Sequence, residues 1–141
     1  MDGVLVDFTS AFKKLPEDIL SEYSDNKDDI PGIFSLMDPM PGAIDAFNKL
    51  SDIFDTYILS TSPWENDSAL SDKLKWVKIH LGNKARKKVI FSHNKNLNKG
   101  DFLIDDRRAN GADKFEGELI QFSVAPFEDW SSILKYLLKK A

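Results

Sequence analysis

Asp105 and Asp106 stand side by side where an apolar run, Phe102-Leu103-Ile104, gives out, and Arg107 follows them. Adjacent carboxylates repel one another unless a cation lies between or beside them. Oxygen ligands of that charge suit Mg²⁺, a hard cation that keeps waters and substrate phosphate in its shell. The plainer reading is an acidic turn closing a buried strand, with Arg107 as a surface charge. Two other polar groups favour the chemical one: Thr61-Ser62 end a second short apolar run, and the segment from Ser92 to Lys99 follows a third. In open α/β sheets, ligands sit beyond the carboxyl ends of the strands. The three groups are therefore expected to converge on one edge.

Positioning these groups takes strands to deliver them and helices to cover the strands. Strand-like runs span 56–59, 88–91, 102–105 and 118–122. Between Phe8 and about Tyr23, Phe12, Leu15, Ile19 and Leu20 fall at helical spacing, and Pro16 divides the segment. A polar stretch then ends in the turn Pro31-Gly32, before an apolar cluster of Ile33, Phe34, Leu36, Met37 and Met40. Pro41-Gly42-Ala43 starts a helix with Ile44, Phe47 and Leu50 on one face. A further helix from about Ser68 to Leu81 carries Leu70, Leu74, Val77 and Leu81 at its apolar positions and closes at Gly82. Trp130, Ile133, Leu134, Leu137 and Leu138 mark an amphipathic C-terminal helix. Strands alternating with helices predict an α/β fold with a parallel sheet covered on both faces.

A chain of 141 residues predicts a single domain with an ordinary core. Hydrophobic residues at 42% and charged residues at 30% are a globular balance. The formal net charge of −4 gives no electrostatic case for nucleic-acid polymers or anionic membranes, while a small phosphorylated ligand needs only local positive charge. The absence of cysteine excludes disulfides and thiolate metal sites, and two histidines argue against an imidazole zinc centre. No apolar run has spanning length, so a soluble, cytoplasmic protein is expected.

Four separated motifs carry a resemblance. Asp2-Gly-Val-Leu-Val-Asp7-Phe8, Thr61-Ser62-Pro63, Lys95 and Ile104-Asp105-Asp106-Arg107 are similar in order and spacing to the haloacid dehalogenase (HAD) superfamily. Within it the chain most resembles the 5′(3′)-deoxyribonucleotidases, through Pro39-Met-Pro41-Gly-Ala43, Trp76-Val77, His80-Leu81-Gly82 and the Ile-Asp-Asp-Arg ending. The resemblance implies a three-layer Rossmann-like parallel sheet with helices on both faces. It also implies a core of residues 1–8 and 41–141 and a small helical cap formed by about 9–40. The activity implied is Mg²⁺-dependent dephosphorylation of (deoxy)ribonucleoside monophosphates through an aspartyl-phosphate.

The superfamily's first motif is Asp-x-Asp-Gly, and its first aspartate is the nucleophile. Asp2-Gly3 matches the second aspartate and its glycine, so the resemblance places the nucleophile, with the strand delivering it, ahead of Met1. The expectation is an enzyme shortened at its N-terminus, impaired as these 141 residues stand.

Residue by residue, the resemblance makes Asp2 the general acid and then base, with its carbonyl a ligand of Mg²⁺. Thr61 and Ser62 would bind the phosphoryl oxygens, Lys95 would counter the phosphate charge, and Asp105 and Asp106 would complete the metal shell. Phe8 would stack on or wall in the nucleobase, with Phe34 and Trp64 lining the same pocket, although core packing is the plainer reading of the last two. Plainer readings stand beside each: an Asp-Gly turn, a hydroxyl capping a turn, a solvated loop lysine with Lys99 as its alternative, and core aromatics. His80 reads as a helix-terminal residue and His93 as a loop residue. Competing readings are a phosphatase for another small phosphate ester and a non-catalytic phosphate- or nucleotide-binding protein. A receiver-type phosphoacceptor would need its acidic pair early in the chain, and the sequence does not have one there.

Overall fold

A computed structural model describes all 141 residues. The chain starts in a tight turn: the amides of Val4, Leu5 and Val6 all bond to the Met1 carbonyl, with Gly3 at φ +70°. Strand β1 (Val6–Asp7) leaves the turn and pairs antiparallel with β2 (Asp38–Pro39). Between them Pro16 divides the chain as expected, ending a 3₁₀ turn (Phe8–Lys14) and capping helix α1 (Glu17–Glu22). Helix α2 (Ala43–Ser51), strand β3 (Ile58–Ser60), helix α3 (Ala69–His80) and strand β4 (Val89–Phe91) follow. Strands β5 (Phe102–Asp105) and β6 (Glu118–Gln121) and helix α4 (Trp130–Leu138) complete the chain.

The α/β class holds, and the pairs β3–β4 and β5–β6 are parallel. One continuous sheet does not form: the strands make three separate two-stranded sheets. Each of β3 and β5 has a single partner, so the backbone groups on its second edge have no ladder to join. Those edges face each other across an apolar cavity of about 490 Å³ lined by Tyr57, Ile58 and Leu59 on one side and Phe102, Leu103 and Ile104 on the other. A sheet crosses a gap only through backbone pairing, and no strand lies between these two.

The core is shared. Ala11, Ile30, Ile33, Phe34 and Met37, from the segment expected to form a cap, belong to the same buried cluster as Phe47, Leu50, Val77 and Trp130. Polar bonds secure the packing: Asn66 donates its side-chain amide to the carbonyls of Asp28 and Ile30, and the Trp76 indole donates to Met37 at 2.9 Å. The Trp130 indole donates to the Val4 carbonyl at 2.8 Å and so pins the N-terminal turn to α4. An Asp129–Ser132 capping box starts that helix.

Two side-chain expectations are corrected. Helix α3 buries Ala69, Lys73, Trp76 and Val77, while Leu70 is 48% exposed and Leu74 is 38% exposed. Val77 and Leu81 are buried as expected, but in the first two turns the inner face is taken by Ala69 and Lys73, with Trp76 beside Val77, in place of the two leucines. Trp64 is 83% exposed, with its ring edge-to-face to His93 at 5.9 Å between centroids, so it is no part of the core.

Candidate active site

Asp2 sits on the N-terminal turn, and its carboxylate is held from α3. Lys73 Nζ, fully buried, donates to Asp2 Oδ2 at 2.8 Å, to Ser60 Oγ at 3.0 Å and to the Thr61 carbonyl at 2.6 Å. The other oxygen, Asp2 Oδ1, is buried without a partner. Burial lowers the Lys73 pKa, and the nearby Asp2 charge opposes that fall. This lysine was not foreseen in the sequence: among the apolar positions of a helix, a lysine reads as solvent-facing.

The second charged pair joins the loop after β4 to the end of β5. Lys95 donates to Asp105 Oδ2, and both side chains are buried, at 8% and 7% exposure. Burial by itself would raise the Asp105 pKa, but the hydrogen bond and charge of Lys95 outweigh it and hold the carboxyl low. Asp106 moves the other way, raised by burial and then by its hydrogen bond and repulsion with Asp105. The Arg107 amide bonds to Asp105 Oδ1 at 3.4 Å while its side chain is exposed, and its positive charge acts on Asp106 against the rise.

The two pairs lie close together: the charge of Lys95 acts on Lys73 and helps to lower its pKa. Gly3 brings the turn against the acidic pair: a Cβ placed on it would lie 2.2 Å from Asp106 Oδ2. Gly3→Ala therefore adds an overlap to the strain of a positive φ. We expect this variant to displace Asp106 and abolish divalent-cation binding, measured by isothermal titration with Mg²⁺. Unchanged binding would mean that Asp106 lies outside any metal site.

The donor set fits Mg²⁺: two adjacent carboxylates, one oriented by Lys95, lie against the carbonyl-bearing turn of Asp2-Gly3. Three carboxylate side chains do not gather into a cluster. Asp2 commits Oδ2 to Lys73, and its backbone carbonyl is the atom that would face a cation held by the acidic pair.

Thr61 and Ser62 follow β3 directly, with Ser62 buried. The Thr61 hydroxyl donates to the Ser92 carbonyl at 2.8 Å, which ties the ends of β3 and β4 together and must be released before that hydroxyl can donate to a phosphate. Phe8 and Phe34 meet at 6.0 Å between ring centroids. Phe34 is buried with the Lys73 ammonium 4.5 Å from its ring centre, so Phe8 is the more exposed face. His80 stacks on Trp76 at 4.4 Å, a structural contact. No helix is long and apolar enough to cross a membrane.

Comparison with known proteins gives a consistent set of matches. The model of the family described as "5′ nucleotidase, deoxy (Pyrimidine), cytosolic type C protein" matches residues 18–128. A protein of Vibrio phage KVP40 named "Putative 5′(3′)-deoxyribonucleotidase" is 50% identical over 137 residues, covering 97% of this chain and 81% of the relative. One of the same name from Bordetella bronchiseptica is 32% identical over 131 residues, covering 75% of this chain and 70% of that one. The human "5′(3′)-deoxyribonucleotidase, cytosolic type" is 37% identical over 79 residues, covering 55% of this chain and 39% of its own.

Proposed function

We propose a function from the premise those matches establish: the chain belongs to the 5′(3′)-deoxyribonucleotidase family of 5′-nucleotidases, which are phosphatases. Our reading is a Mg²⁺-dependent phosphomonoesterase of the HAD type, acting on deoxyribonucleoside monophosphates. The observation that carries it is the seating of the Asp2-Gly3 turn on Asp106, which joins an acid–base candidate to the acidic pair.

In this reading Asp2 Oδ1, the unpartnered oxygen, passes a proton to the leaving sugar oxygen and then takes one from water. Lys95 fixes Asp105, and Asp105, Asp106 and the Asp2 carbonyl hold the cation. When bound, Mg²⁺ supplies positive charge to the phosphoryl oxygens. Thr61 and the amides around Ser62 orient those oxygens, and Phe8 offers its ring to the base, with residues 9–40 as a small cap. The aspartyl-phosphate route gives the attack to a carboxylate ahead of Met1. The apolar groove between β3 and β5 supports it, because its facing edges would pair with a strand bringing that carboxylate to the site.

The test is phosphate release from a panel of nucleoside monophosphates, with Mg²⁺ and with EDTA. This chain is compared with one extended at its N-terminus by an apolar strand ending in Asp. We expect release by the extended protein, greatest on deoxyribonucleotides and abolished by EDTA. No release from either protein, with folding confirmed by circular dichroism, would overturn the reading in favour of phosphate binding without turnover.

A further inference from the structure

Four of the five residues from Lys84 to Lys88 are cations, in a chain whose net charge is −4. The fold divides them into two kinds. Lys84 pairs with Asp52 and Lys88 with Asp55, which fastens both ends of the run to the segment that follows α2. Ala85 is buried between them. Arg86 and Lys87 form no ion pair, and neither does Lys78 near the end of α3. These three cations line one hollow of about 520 Å³, together with Gly82 and Asn83, and Leu74, Val77 and Val89 give it an apolar wall. Lys87 takes φ +62°, where side chains are uncommon, so the anchors rather than local preference set the shape of this loop.

Cations that share a hollow without a counter-charge repel one another and focus positive potential into it. Solvated surface lysines, by contrast, gain nothing from being held together in a concavity. The hollow is separate from the candidate active site. Strand β4 leads from Val89, on its wall, to Ser92, whose carbonyl takes the Thr61 hydroxyl, so the two sites lie at opposite ends of that strand.

We propose that this hollow binds a nucleoside triphosphate, with the phosphates against Lys78, Arg86 and Lys87 and the base over Leu74, Val77 and Val89. Guanidinium and ammonium groups hold phosphate through charge-assisted hydrogen bonds. Three cations suit a triphosphate better than a monophosphate, which carries about two charges at most. The apolar wall gains only from a ligand with an uncharged part to lay on it, which inorganic polyphosphate lacks.

The test is isothermal titration of the protein with dTTP and, separately, with sodium tripolyphosphate. Both titrations contain EDTA, so that no cation at the acidic pair takes part. We expect one dTTP per chain, binding more weakly as salt is raised, and tripolyphosphate binding about tenfold more weakly than dTTP. Arg86→Ala combined with Lys87→Ala should weaken both ligands by about tenfold or more. Leu74→Ser should weaken dTTP about threefold and leave tripolyphosphate unchanged. Should the double variant fail to fold, Lys78→Ala, which puts the best helix former on α3, removes a cation in the same comparison. No binding of dTTP would overturn the inference. So would dTTP binding that survives loss of the cations, which places the nucleotide elsewhere, or equal affinity for the two ligands. None of these readouts depends on turnover, so this inference and the proposed function can each fail without the other.

Discussion

Lys95→Met is expected to destabilise the protein by about 3–5 kcal/mol, the range for removing one partner of a buried ion pair. Both side chains of the pair are almost fully buried, and Asp105 also accepts from the Arg107 amide. Without the ammonium, Asp105 must either stay charged in a poor solvent or take up a proton. Against typical stabilities of about 5–15 kcal/mol, such a loss consumes a large share of the total. The measurement is urea denaturation at neutral pH. Because Lys95 holds the Asp105 pKa low in the folded state, the stability contributed by the pair is fully present above the ordinary carboxylate pKa. It is lost as pH falls through the lowered folded value, so the variant and the parent should converge in acid. Lys95→Met with Asp105→Leu should recover most of the loss, since no unpaired charge is left behind. A single-variant loss below about 1 kcal/mol, the scale of a solvated pair, would show that water reaches the pair.

Asp2→Asn should lower kcat on deoxyribonucleoside monophosphates by about 10²–10⁴-fold in the active form, the contribution of a placed general acid and base. The substitution keeps the backbone carbonyl, so half-saturation by Mg²⁺ should hardly move. It also keeps an oxygen within reach of Lys73, which limits the damage to folding. Steady-state kinetics across a Mg²⁺ titration separates the two effects. A fall in Mg²⁺ affinity with kcat intact would make Asp2 a side-chain metal ligand and transfer the proton work elsewhere. Turnover equal to the parent's would remove Asp2 from the chemistry altogether.

Much of the chain was legible before any coordinates. The strand Phe102–Asp105 begins and ends where its apolar run does, Pro16 divides its segment, and α4 follows the spacing of Trp130, Ile133 and Leu137. Pro39-Met-Pro41-Gly-Ala43, Trp76-Val77, His80-Leu81-Gly82 and the Ile-Asp-Asp-Arg ending pointed to the deoxyribonucleotidase family, to which the matches assign the chain. These readings succeed because they depend on local preferences: side-chain period, proline geometry, and residues that end a run.

What the tertiary structure decided is which groups meet. Sequence spacing put Leu70, Leu74, Val77 and Leu81 on the buried face of α3; the last two are buried, but an indole that donates to Met37 and an ammonium that donates to Asp2 take the inner face from the two others. Lys73 became part of the site only through partners 71, 13 and 12 positions away. The division of the strands into separate pairs also lay beyond local pattern, because each strand reads alike whether or not its second edge finds a neighbour. Periodicity and motif order are written along the chain and can be read there. The burial of a charge, the choice of side chains on a helix's inner face and the pairing of an edge are set by contacts between distant residues, and only the fold brings those residues together.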